Sequence, residues 1–295
     1  MRAVLIALAL LCGLAAAGCG GAHKTTTTVS AKRASVPPPP LGLRVGVVGP
    51  LEVKAVPGAS ITRGGRLATM PAYPLVLVSA QSVDLAAVDA VAARYPTSHY
   101  AYVGGSTKGH HRPNLVGLVL NDGQAAQLGG VVAGLVAAEQ GGMNARIAWV
   151  GPQERALAAA FARGANAVQP GTTVLRAWSG ALPASCKEAA LGAIARGAVV
   201  VMAHGGLCGE AAIAGAHQQN HVGLQLSDFE LPSVPAGVLI GDAVAGVFRG
   251  GEDIVFGAST GAIGVRHLDP GISPDIAVGA RAAAQQLASG LPLRG

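Results

Sequence analysis

Aromatic residues make up only 3% of this 295-residue chain, and charged residues 12%. So few rings leave little for bases to stack on, and beyond Leu41 no basic run or aromatic-flanked basic patch occurs. Nucleic acid is therefore excluded as a partner. The formal charge of +6 does not argue against this. Four of the 21 cations (Arg2, Lys24, Lys32, Arg33) and none of the 15 acids precede Leu41, so the remainder holds 17 cations against 15 acids, a balance of +2. Phosphate-binding P-loops and His-Glu-x-x-His helices are missing. No enzyme is expected. "GGSTKG" (104–109) has Lys108 among glycines but lacks Walker spacing. His110-His111 stand together without a spaced acid or cysteine, so they read as a surface loop. Neither a metal nor a cofactor is implied.

What is present begins with the N-terminus. Arg2 is followed by an unbroken apolar stretch from Ala3 to Leu11, which is too short for a bilayer core of about 20 residues. Small residues Ala16, Ala17 and Gly18 then lead directly to Cys19. This is the order of a secretory signal, residues 1–18. The residues before Cys19 resemble a bacterial lipobox, in which the cysteine becomes the acylated N-terminus and holds the protein on the extracytoplasmic face of the cell membrane. Residues 19–40, with Thr25 to Thr28 and Pro37 to Pro40, are too polar and too proline-rich to pack a core and read as a tether.

From Leu41 onward, short Val-rich runs alternate with Ala-rich helical stretches. Strands are expected at 43–48, 74–80, 99–105, 114–120, 146–151, 172–178, 198–206, 221–227, 236–241 and 253–258. Helices are expected at 82–96, from Asp122 to about Gln140, and at 153–168, 185–196 and 209–219. Regular alternation of this kind predicts an α/β fold with parallel sheets flanked by helices. The break near Gly141-Gly142 predicts two Rossmann-like lobes with a ligand cleft between them. The first would take residues 41–142 with part of 236–295, and the second 143–235 with part of 250–295. Between Val48 and Pro74 no helical period survives, so the first lobe looks abridged where its first crossover helix should lie.

In such sheets ligands sit beyond the carboxyl ends of strands. That rule selects Trp178 and Ser179, His204, and Asp228 in the second lobe, and Gly104 to Ser106 with Ser79 to Gln81 in the first. Trp178 could stack on a ring or serve the core. His204 could donate to a ligand or be held structurally. Asp228 could accept from hydroxyls or an amine, or cap a turn. Asp122 reads as a helix N-cap. Cys186 and Cys208 each follow the end of a neighbouring strand, so their loops should share an edge and could form a disulfide in an oxidising space; two unrelated buried cysteines are the alternative.

The order of features from "YPTSHYAYVGG" through "NLVGLVLNDGQAAQLGGVVAGLVAA", "FARGANAVQPGTTVLRAWSGAL" and "HVGLQLSD" to "ASGLPLRG" resembles the basic membrane protein (BMP, Med/PnrA-like) family of binding-fold lipoproteins, with Asn114, Leu128, Gly130 and Gly134 in frame. The resemblance implies a small-molecule ligand, typically a nucleoside, an ABC permease as partner and no catalysis. The family's carboxylates on the ribose strand are Gln225 and Ser227 here, and its early aromatic loop would fall in the abridged span. The expected ligand is therefore small and polar rather than a tightly sandwiched purine. The chain is read as a monomer. A degenerate binding fold serving as an envelope interaction module is the alternative.

Overall fold

The protein is described by a computed structural model covering residues 42–293, apart from Pro71 and Ala181. Cys19, the signal and the tether lie outside the described residues. Ten strands form two parallel sheets. The first contains β1 (Leu43–Val48), β2 (Ala59–Arg63), β3 (Leu75–Ser79), β4 (His99–Val103), β5 (Leu115–Leu120) and β10 (Asp253–Phe256), in the order β10-β5-β4-β3-β1-β2. The second contains β6 (Arg146–Gly151), β7 (Thr173–Trp178), β8 (Ala198–Ala203) and β9 (Val222–Gln225), in the order β7-β6-β8-β9. Every pair within the two sheets is parallel.

The strands read as continuous apolar runs because both of their faces are covered. Alternate residues divide between two cores. Val45, Leu75, Leu77, Ala101, Ile147, Trp149, Val200 and Met202 face one shared core. Val76, Val78, Tyr100 and Tyr102 face a second core, on the outer side of the first sheet. Ala148, Val150, Val201 and Ala203 face a third, on the outer side of the second sheet. That outer layer comprises α4 (Pro183–Ala195) and α5 (Gly206–Gln218), which pack on each other and on β8.

Helix α2 (Asp122–Gly141) follows the first sheet in sequence, yet it packs on α3 (Arg155–Val168), β6 and β8. It is apolar on every side, as a helix buried all round must be. Its contact with α3 is close because Gly130 and Gly164 face it: a Cβ on Gly130 would lie 2.0 Å from the Phe161 carbonyl, and one on Gly164 1.9 Å from that of Gln127. The small-residue frame at Gly130 and Gly134 is thus a packing requirement.

The abridged span is partly filled. β2, which the sequence did not suggest, adds a parallel strand beside β1, and no α-helix joins them. A 3-10 turn, Leu67–Thr69, with Met70 and Tyr73 covers the face a crossover helix would take, and Gly46 admits it: a Cβ there would meet the Met70 sulfur at 2.6 Å. The strand expected at 236–241 is a correction. This run is the middle of α6 (Ser233–Val244), with Ala236, Leu239 and Ile240 buried at helical spacing and Val238 exposed. Periodicity alone does not separate a short apolar run from a half-buried helix. α1 (Leu85–Arg94) lies on the first lobe, and α7 (Pro274–Ala288), not foreseen, packs on α2.

No helix among the described residues is long and apolar enough to cross a membrane.

Candidate functional site

Each sheet reverses its strand order once, between β1 and β3 in the first and between β6 and β8 in the second. Loops diverge at such a point and leave a crevice beyond the carboxyl ends. A cavity of about 420 Å³ lies there, lined by loops of both sheets. Pro50 to Glu52 after β1, Ser79 and Gln81 after β3, and Val103 and Gly104 after β4 form one wall. His204 to Gly206 and Glu210 after β8, and Gln225 to Ser227 after β9, form the other, with Arg266 beside them.

The floor is built where the chain passes between the lobes. It crosses after β5 at Asn121-Asp122, after β9 at Glu230 to Pro232, and after β10 at 257–263. These crossings are bonded to one another. Asn121 N–H donates to the Phe256 carbonyl (2.9 Å), and Leu231 N–H to that of Ala262 (2.8 Å). Ala258 N–H donates to the Gln124 side-chain oxygen (2.8 Å). Leu120, Asp122, Glu230 and Pro232 present this floor to the cavity.

Asp122 is therefore not the N-cap that the sequence suggested. Asn121 caps α2, accepting from the Gln124 N–H at 3.1 Å, which leaves the Asp122 carboxylate facing the cleft. Burial pushes Asp122 above the usual carboxylate range, and nearby His204 pulls the other way. Burial and then the Asp122 charge raise Glu230 to about 7. His204 Nδ1 lies 2.6 Å from Glu154 Oε2, so this histidine is both held structurally and part of the wall. Glu154 follows β6, and the pair spans the switch point of the second sheet.

Other expected residues stand elsewhere. Trp178 ends β7, an edge strand one position removed from the switch point; it is half-buried against the shared core and does not line the cavity. Ser179 backs the disulfide joining Cys186 and Cys208, whose Cα atoms are 5.4 Å apart. Its Oγ lies 3.2 Å from the Cys186 sulfur; disulfide sulfurs carry no proton, so the hydroxyl is the donor. The Asp228 carboxylate accepts from the Gln225 N–H (2.7 Å) in a reciprocal capping box, and it does not line the cavity. Burial raises its pKa. Gly104 lines the cavity, whereas the Ser106 hydroxyl donates to Asp253 and fixes its own loop to β10, together with Thr107 N–H at 2.7 Å.

His110 pairs with Asp89 at 3.3 Å and His111 lies 3.2 Å from the Gly251 carbonyl. Among the described residues no group of three or more His, Cys, Asp or Glu could hold a metal.

Residues 75–225 match the model of the family described as ABC transporter substrate-binding protein, PnrA-like. The chain belongs to this family. No curated protein matches it in sequence. An ABC transporter solute-binding protein from Conexibacter woesei is similar in structure, with 19% identity and a TM-score of 0.56 over 84% of this chain and 97% of that one. One from Aeropyrum pernix shows 16% identity and a TM-score of 0.53 over 84% and 92%. A transcriptional activator of the comK gene from Bacillus halodurans reaches 0.60 at 11% identity, over 84% and 98%. At such identities the likeness concerns the fold; the PnrA-like assignment rests on the family match.

The acids Glu52, Glu210 and Glu230 and the cation Arg266 were not selected from the sequence. Glu52, Glu230 and Arg266 sit in loops without a periodic signal, and Glu210 in the first turns of α5. The available hint was Glu230 itself, an acid set between the apolar Phe229 and Leu231.

Proposed function

We propose that this PnrA-like protein is the solute-binding component of an ABC importer, taking one small polar ligand into the cleft between its lobes and delivering it to a permease. One observation carries this reading: a cavity of ligand size lies where the switch points of both sheets meet, above three crossing segments that can act as a hinge. His204, already paired with Glu154, is the only aromatic ring among the lining residues, so a purine has no Phe, Tyr or Trp face to stack on. That favours a compact polar ligand over a nucleoside. The protein acts as a monomer, held on the extracytoplasmic face of the membrane by lipid on Cys19.

A thermal-shift screen of the mature domain against amino acids, amines, sugars and nucleosides tests the reading, because a ligand stabilises by RT ln(1 + [L]/Kd). A saturable shift from one compound class is expected. No shift from any class would favour the interaction-module alternative.

A further inference from the structure

The cleft has an imbalance of charge. Four acids line it, Glu52, Asp122, Glu210 and Glu230, against the cation Arg266 and the titratable His204. Arg266 is engaged by Glu52 at 3.1 Å, and His204 by Glu154 at 2.6 Å. Asp122 and Glu230 have no such partner. They occupy two adjacent crossings of the floor, close enough that the Asp122 charge acts on Glu230. Among the described residues no other side chain donates a hydrogen bond to either carboxylate.

Two desolvated carboxylates with no ion-pair partner in contact are costly, and an opposite charge placed between them relieves both. A hydroxyl from a neutral sugar would supply hydrogen bonds and leave the charge uncompensated. A protonated amine or guanidinium supplies both N–H donors and charge.

We propose that the ligand of this cleft carries a positively charged nitrogen, held at the floor between Asp122 and Glu230. This rests on the reading of the cleft as the solute site; the site stands on the cavity and its two switch points, and the charges decide what enters it. It also makes binding depend on pH. The titratable or charged groups facing Glu230 and Asp122 are His204 with Glu154, Glu210, and the Glu52–Arg266 pair; of the two floor carboxylates, Glu230 ionises near neutrality.

The test uses matched probes on the mature protein, by calorimetry: arginine against its neutral isostere citrulline, and putrescine against butane-1,4-diol, with ribose and adenosine alongside. Arginine or putrescine should bind at least about tenfold more tightly than its neutral counterpart, and more tightly at pH 8 than at pH 5.5. Asp122→Asn and Glu230→Gln, which preserve size, should each weaken that binding about tenfold or more. Circular dichroism and the wild-type probe panel keep the test decisive if a variant folds poorly. Binding of ribose or adenosine with both cations inert would overturn the charge inference and leave the solute-binding reading intact. Binding by none of the probes would overturn the charge inference, and the broader screen decides the other.

Discussion

The Arg266 guanidinium lies 3.1 Å from the Glu52 carboxylate, and the two come from opposite sides of the cleft. Glu52 follows β1 in the first lobe. Arg266 is tied by its backbone N–H to the Asp228 carbonyl (2.8 Å), on the turn after β9. The pair therefore closes over the cavity rather than within one wall. Their side chains are 39% and 72% exposed, so the pair should contribute no more than about 1 kcal/mol to folding. Arg266→Ala is expected to leave the urea midpoint nearly unchanged and to speed ligand release several-fold. Stopped-flow dissociation identical to wild type would remove the pair as a latch.

The floor carboxylates set a pH dependence of stability without ligand. Glu230 shifts from its ordinary 4.5 to about 7 in the folded protein, chiefly through burial. A group raised on folding stabilises fully below its unfolded pKa and loses that contribution as pH rises through its folded value. Stability should thus fall between about pH 4.5 and 7, by an amount on the order of 3 kcal/mol. Asp122 is raised too, also by burial, and acts with the same sign. Asp89, held low by the Arg112 hydrogen bond, acts in the opposite sense, but only in more acidic solution. Urea unfolding at pH 5 and pH 8 measures the slope. Glu230→Gln should flatten it; an unaltered slope would assign the effect elsewhere.

Trp178 separates the positional rule from the strand order that limits it. As a side chain packed on the shared core, it should cost about 2 kcal/mol of stability when replaced by Ala. Ligand affinity should stay within a fewfold of wild type. A loss of tenfold or more, with the fold intact, would place the tryptophan on the ligand after all.

The strands were legible because doubly covered strands leave uninterrupted Val and Leu runs, and Tyr100 and Tyr102 alternate with Ala101 and Val103 as their two cores demand. β2 was not, because "ASITR" is a half-exposed edge strand with little apolar burial to record. Strand ends located His204 and Gly104 on the cavity. They did not separate Trp178 from it, because the order β7-β6-β8-β9 is a pairing between distant segments that no local pattern encodes. Asn114 shows the same limit. Its buried amide donates to the carbonyls of Ala92, Tyr95 and Ser98, which close α1, so its place in the family frame records a helix end.

The proposed lipid anchor on Cys19 is tested by substitution. Cys19→Ser should accumulate as an unprocessed precursor and leave the detergent phase in a phase-partition assay. Equal partitioning of mutant and wild type would exclude lipid on this residue.

The disulfide should matter to binding as well as to folding. Cys186 and Cys208 lie 22 residues apart in sequence and join the first turns of α4 and α5. The start of α5 also carries Gly205, Gly206 and Glu210 onto the cavity wall. Breaking the link should cost about 3 kcal/mol in the chain-entropy account. It should also free the glycine turn, so that the wall must be ordered again on each binding event. The double variant Cys186→Ala with Cys208→Ala is thus expected to melt lower and to bind its ligand more weakly. Ser179, which donates to the bridge, should affect affinity less when changed to Ala. Intact mass after alkylation without reductant gives the prior check. Two labelled thiols on the folded, secreted protein would refute the bridge, and unchanged affinity in the double variant would confine its role to folding.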